Sequence, residues 1–231
     1  MQIVLNHVTR MRRSRICVAG IECGSLTHMR PTTSKEELLT RELLRAEGGP
    51  FGPGALVDLG EVVPEGSPPE VEDRRFVTGH ARHVEDLSDQ KYLTLLASVA
   101  DDSVKGAFGA DLREIRPRKF AIPKGHGQRS LAVIPVEAAE LQIAWGNLYV
   151  SLRDGDVDAK LRVTDVRFYE PDHKTIKVDL MQDVSRRMAG GVEAYAMLGL
   201  ARAMRDQDGG DVHWLQCNGI CLADRAVSDV P

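Results

Sequence analysis

The chain has 231 residues, of which 42% are hydrophobic and 28% charged, and its formal charge is −4. That is ordinary for a globular protein with one or two cores, and it excludes a wholly basic nucleic-acid binder. No apolar run reaches membrane-spanning length, and residues 1–8 are too short and wrongly flanked for a signal peptide, so a cytoplasmic location without membrane contact is expected.

In chain order, residues 2–8 and 16–21 are short apolar runs joined by the polar link 9–15, which predicts a hairpin, with Gly20 at a bulge or tight bend. Residues 26–30 read as a third strand, stopped by Pro31. Ser34 and Glu37 match a capping box, Leu39 and Leu43 fall four apart with Leu38 and Leu44 beside them, and Gly48 is a natural stop. This spacing predicts a helix over 34–47, followed by a strand over 55–63. The proline- and acid-rich stretch 64–72 reads as a linker. Tyr92, Leu95, Leu96 and Val99 then define an amphipathic bridging helix over 88–101.

A second set of elements follows. Residues 131–136 and 147–152 are strands, the latter with strict alternation. In 161–170 the alternation slips phase, which suggests a bulge near Thr164 and Asp165. Helices are expected within 174–205, interrupted at Gly190-Gly191 and resuming over 192–205. There Val192, Tyr195, Ala196, Gly199, Leu200 and Ala203 form one stripe. Residues 214–222 are read as one strand with a bulge near Gly219, in preference to a hairpin at Asn218-Gly219.

Strands, a helix and a closing strand therefore occur twice. A helix between the third and fourth strands of a five-stranded barrel is the plan of an OB-fold. The expectation is a β-rich mixed fold of two such barrels in tandem, over 1–66 and 130–231, with a linker and bridging helix over 67–129.

The chemistry-bearing motifs mostly have plain structural readings. His213, Cys217 and Cys221 lie four apart, about 13 Å on an extended strand, whereas a zinc ion needs ligands within about 2.3 Å. No metal or cofactor is expected, and the four cysteines read as small buried or half-buried thiols. His80 and His83 read as loop histidines. The glycine-rich stretch 48–54 lacks the lysine of a phosphate loop. Glu170, Asp172 and His173 group at a strand end but also suit a turn, so catalysis is left open without a nucleophile–base pair to support it.

Charge distribution carries more information. Residues 1–30 hold five arginines against one glutamate, and residues 111–129 hold six basic side chains against two acidic ones. Between them, residues 31–110 carry 8 basic and 15 acidic side chains. The basic candidates are Arg10, Arg12, Arg13 and Arg15 in the first loop, and Arg116, Arg118, Lys119, Lys124 and Arg129 in the second segment. Guanidinium and ammonium groups in such loops contact phosphates without reading sequence. Aromatic platforms for bases are few: Trp145, Tyr149 and Tyr169, with Phe168 and Trp214 expected to face the core.

The segments IVLNHVTRM…RICVAG, TRELLRAEGGPFGPGALVDLG, VTDVRFYEPDH and HWLQCNGICLAD together span nearly the whole chain, and in them it resembles the bacterial dual OB domain proteins. The resemblance implies two barrels and a nucleic-acid-binding role, and it supplies no active site. The expected function is a non-catalytic binding protein that grips a nucleic-acid backbone, DNA or RNA, through the basic loops, with Trp145 and Tyr149 beside them. The alternative is a protein-interaction or scaffold subunit of a larger bacterial complex, without nucleic-acid contact.

Overall fold

The two opening apolar runs pair as an antiparallel hairpin of β1 (Gln2–Arg10) and β2 (Ile16–Glu22) in a computed structural model that describes residues 1–34, 37, 39–136 and 139–225. Leu5 faces Gly20 and His7 faces Ala19, so Asn6 is the extra residue of a bulge. The bulge reverses the side-chain phase: Ile3, Leu5 and Val8 share one buried face, while Val4, His7 and Thr9 turn to the other. At Gly20 a Cβ would lie 2.6 Å from the Val4 carbonyl oxygen, so only glycine allows this approach.

The hairpin lies inside a seven-stranded sheet completed by β3 (His28–Thr32), β4 (Ala55–Asp58), β5 (Val63–Pro64), β6 (Asp73–Arg75) and β7 (Arg82–Asp86), in the order β5-β6-β3-β2-β1-β4-β7. Pro31 does not stop β3. Arg30 donates to Glu72 and Phe76 donates to Thr32 across a parallel pairing that makes no demand on the missing proline donor. The stretch 64–72 is anchored as well: the buried Glu72 carboxylate accepts from Ser130 N, Ser130 Oγ and Leu131 N at 2.7, 2.8 and 3.2 Å.

The helix expected over 34–47 does not form among the described residues; Leu38 lies outside them. Two short 3-10 turns, Arg41–Leu43 and Arg45–Glu47, take its place. The Leu39 carbonyl accepts from Ile16 and the Leu43 carbonyl accepts from Phe51. Tertiary partners thus take the backbone groups a helix would have used, and a short isolated helix has little stability with which to compete. Leu39, Leu44 and Phe51 still reach the core over the sheet.

Next come α1 (Asp89–Val99), capped by Ser88, and α2 (Val104–Phe108). They are followed by β8 (Arg113–Arg116), β9 (Lys119–Pro123) and β10 (Leu131–Val136), then by the meander β11 (Ala139–Ala144), β12 (Asn147–Asp154) and β13 (Val157–Arg162). The chain ends in α3 (Val178–Ala189), β14 (Ala194–Leu200), β15 (Met204–Arg205) and β16 (Asp211–Leu222). A second sheet runs β10-β14-β16-β9-β8 with β15 beside β16, and β11-β12-β13 form a third. The second and third sheets share one core, with α2 and α3 packed at its margin.

Three further expectations differ from the fold. The stretch 192–205 holds the strands β14 and β15, not a helix: β14 lies between β10 and β16, buried on both faces, and a continuous apolar run cannot show its period. The strand read over 161–170 ends at Arg162, so the phase slip marks departure from the sheet. Five-stranded barrels do not close, because both large sheets are open; the fold is β-rich with few helices, and the segment 67–129 supplies strands to both.

β16 is a single strand, and Met197 faces Gly219 while Leu198 faces Cys217, which leaves Asn218 as the bulged residue. Its amide fits only because Gly199 lies beneath; a Cβ there would be 2.0 Å from Asn218 Nδ2. The phase again reverses: Leu215 and Cys217 share the core with Ile220 and Leu222. The two bulges meet, with Asn218 Nδ2 donating to His7 Nδ1 at 3.3 Å. On one side of this crossing, α1 fills the space between sheets, as Tyr92 and Leu96 pack with Val4, Ile21, Val133, Met197 and Cys221. On the other side the space stays open.

Residues 163–168 bind the two sheets at the same place. Arg10 N donates to Thr164 O and Thr164 N to Cys217 O, both at 2.8 Å. Asp165 caps the turn Val166–Phe168 and accepts a bidentate bond from Arg167, with Nη2 to Oδ2 at 2.7 Å, while Arg167 Nη2 also donates to Ile220 O at 2.6 Å. Burial disfavours the charged guanidinium, but the Asp165 carboxylate more than offsets this and holds the Arg167 pKa above its ordinary value.

Arg167→Met should therefore cost about 3–5 kcal/mol in urea denaturation by stranding a buried carboxylate, and adding Asp165→Asn should recover part of the loss. His28 yields a pH prediction. Burial, reinforced by the Arg129 charge, lowers its pKa from 6.5 to about 4. The unfolded histidine binds a proton below about pH 6.5 and the folded one does not, so acid favours the unfolded chain. Unfolding free energy should fall between pH 6.5 and about 4, with up to about 3 kcal/mol due to His28, and His28→Gln should flatten that slope.

Candidate functional site

The open space beside the crossed bulges is a trough whose floor is the exposed face of β16. Trp214, Gln216 and Asn218 stand two apart and so point the same way. Two clefts of about 560 and 510 Å³ lie along them. Both are lined by Arg162, Met204 and Gln216, so they form one continuous depression. The first is walled by β9, β12, β13 and residues 204–207, and the second by β1, β2 and the turn after β1.

Basic side chains reach this trough from several elements. On β13 the pattern Val157, Ala159, Leu161 faces the core, leaving Lys160 and Arg162 on the outer face. Pro117 and left-handed Arg118 (φ 61°) make the tight turn that sets Arg116 opposite Lys119. Arg10 is held at the end of β1 with its guanidinium 3.8 Å from the Tyr169 ring centroid, and Nη1 donates to His173 O at 2.5 Å. Arg12 follows in the turn, where Arg13 and Ser14 both take left-handed φ.

Among the described residues Arg10, Arg12, Lys119, Lys160, Arg162 and Arg205 line the trough without an ion pair. Arg116 pairs with Asp206, the one carboxylate on the lining among the described residues. Arg30 and Arg202 are neutralised from behind by Asp73 and Glu70. The free cations repel one another. Burial, then the charges of Lys160, Arg116 and Arg162, lower the Lys119 pKa, and burial followed by Arg10 lowers that of Arg162. Such a cluster is relieved by a polyanion.

The structure therefore brings together Arg10, Arg12, Arg116, Lys119 and Tyr149 from the expected set and separates the rest. Arg13 and Arg15 do not line the trough. Arg118 pairs with Asp158 at 2.8 Å, Lys124 with Asp211 at 3.4 Å, and Arg129 with Asp101 while donating to Ala107 O. Tyr149 is buried, with Lys119 and Lys160 each 5.1 Å from its ring centroid. Trp145 is 83% exposed beside it, and its ring meets Tyr149 edge-on at 6.3 Å. Tyr169 is buried under Arg10 and cannot receive a base. Trp214, expected in the core, is half-buried on the trough floor, its ring 5.4 Å from Arg116.

Lys160, Arg162 and Arg205 do not stand out in the sequence. The signal for the first two is alternation within VDAKLR, which places two cations on one strand face without forming a charge run. The other candidates have structural duties. Asp172 accepts from the amides of Lys174 and Thr175 and from the Thr175 hydroxyl, which hold its pKa at about 2, with the hydroxyl the larger cause. His173 is buried and its Nδ1 donates to Met11 O at 3.2 Å, clamping the arginine turn. Burial pushes the Cys217 and Cys221 thiols up to about 12, so neither is a thiolate at neutral pH. Among the described residues no helix is long and apolar enough to cross a membrane.

No protein-family model and no curated protein matches the chain. Among solved structures it is similar to the HINb domain of p204, with a TM-score of 0.36 and 8% identity over 94% of this chain and 95% of that one. It is also similar to a murine DNA-binding protein bound with double-stranded DNA, with a TM-score of 0.34 and 7% identity over 96% and 97% of the two chains. Likenesses of this size do not establish a shared fold, and a functional reading has to rest on the site itself.

Proposed function

We propose that the chain binds nucleic acid by its phosphate backbone, with the trough along β16 as the contact surface. The observation that carries this reading is the gathering, among the described residues, of six cations without ion pairs in one continuous depression, in a protein whose total charge is −4. A polyanion with regularly spaced charges fits this arrangement better than a small anion, because the cations line two joined clefts instead of converging on one point. The contact is non-catalytic in this reading: the trough supplies positioned charge and hydrogen-bond donors, and its walls hold no nucleophile–base pair among the described residues.

Fluorescence anisotropy with labelled oligonucleotides across a salt series tests it. Affinity should fall steeply with salt, and Arg10→Ala, Lys160→Ala and Arg162→Ala together should weaken binding and reduce the slope of log affinity against log salt by about one for each phosphate left without its cation. Arg13→Ala with Arg15→Ala should change little. Binding that survives unaltered in the triple variant would remove the trough as the contact surface. The same assay has a pH arm. A bound phosphate would raise the lowered Lys119 pKa, so association takes up a proton at alkaline pH. Affinity should decline as pH rises through that lowered value, and Lys119→Arg, which stays charged, should abolish the decline.

A further inference from the structure

We infer that the trough takes a single strand, one base of which stacks on Trp145; this deepens, and rests on, the nucleic-acid reading above. Trp145 forms the two-residue turn between β11 and β12 with Gly146, at φ 49° and 68°. Such turns favour Asn-Gly, and a bulky residue in the left-handed region is strained there. Its side chain is nevertheless 83% exposed, so burial does not compensate for that strain. Lys160, from the trough lining, lies over the ring with its Nζ 5.3 Å from the centroid, so one face meets a cation while most of the ring surface stays open.

The other rings near the trough are far less exposed. Tyr169 is buried under Arg10, Tyr149 is buried between lysines, and Trp214 is half-buried on the floor with Arg116 over it. A chain of phosphates lying over Lys119, Lys160 and Arg162 therefore passes Trp145 at the rim. The floor from Trp214 to Asn218 spans about 13 Å of extended strand, recessed between β13 and the β1–β2 turn. A duplex keeps its bases stacked inside and would meet only the rims, whereas a single strand can lie on the floor and turn a base outward. Cationic groove and adjacent open ring are the combination that single-strand recognition uses.

The test titrates the full chain with labelled oligo(dU), oligo(rU) and a duplex of equal length. At least one single strand should bind roughly tenfold tighter than the duplex, and a preference between the two identifies the sugar. Trp145→Ala should weaken single-strand binding roughly tenfold while leaving the salt slope unaltered, because stacking releases no counterions. Trp145→Phe should restore most of the affinity, and an unchanged urea midpoint shows that both variants fold. Duplex binding as tight as single-strand binding, or a Trp145→Ala variant of full affinity, would overturn the inference. If the duplex then still binds in a salt-dependent way through Arg10, Lys160 and Arg162, the backbone reading stands alone. Absence of binding to all three probes would overturn both.

Discussion

The buried pair of Asp165 and Arg167 is the interaction on which the arrangement of the two large sheets depends. Charges taken from water are costly unless nearly every polar atom finds a partner, and here they do. The carboxylate receives the guanidinium, the Arg167 amide and the Ile220 amide, while the guanidinium also meets the Ile220 carbonyl. The pair thus reads the backbone of β16 at one position. Because Thr164 binds Arg10 and Cys217 on the same stretch, it holds β1 against β16 in one register. A slip of one residue would take the Ile220 amide and carbonyl away from the buried pair, so an apolar contact could not specify the junction as sharply.

That register places the two bulges face to face, and the bulges divide the space between the sheets. Before the crossing, the inner faces of β1 and β16 are apolar and α1 fills the gap. Beyond it the phase has reversed on both strands, and polar residues such as His7, Thr9, Gln216 and Asn218 look into the opening. The trough is therefore a consequence of where two extra residues were inserted. Arg10 and Arg162 share it because both flank residues 163–165, where the chain leaves β13 and meets β1.

Much of the local structure could be read along the chain. The opening hairpin, the helix capped by Ser88, the alternating strand around Leu148–Leu152 and the single closing strand with its bulge all follow from short-range pattern. The misreadings share a cause. Leu39 and Leu44 are buried as a helix would bury them, but by a segment with two short 3-10 turns, whose Leu39 carbonyl serves β2 and whose Leu43 carbonyl serves Phe51. The run from Ala194 to Leu200 is apolar on both sides because two strands flank it, and such a run has no visible period. Barrel closure failed as an expectation because strand count does not determine whether edges meet.

For the candidate site, the sequence by itself located the basic segments, the arginine turn and the exposed tryptophan, because composition and local alternation decide what a stretch of chain can offer. It could not determine which charges remain free. Lys124, Arg118 and Arg129 are as basic as Arg12 and Lys119, yet each is matched by an acid 28 to 87 residues away. Lys160 and Arg162 belong to no charge run and still complete the trough. Ion pairing falls off within a few ångströms, so the distinction between a neutralised cation and a free one exists only after the sheets have been brought together.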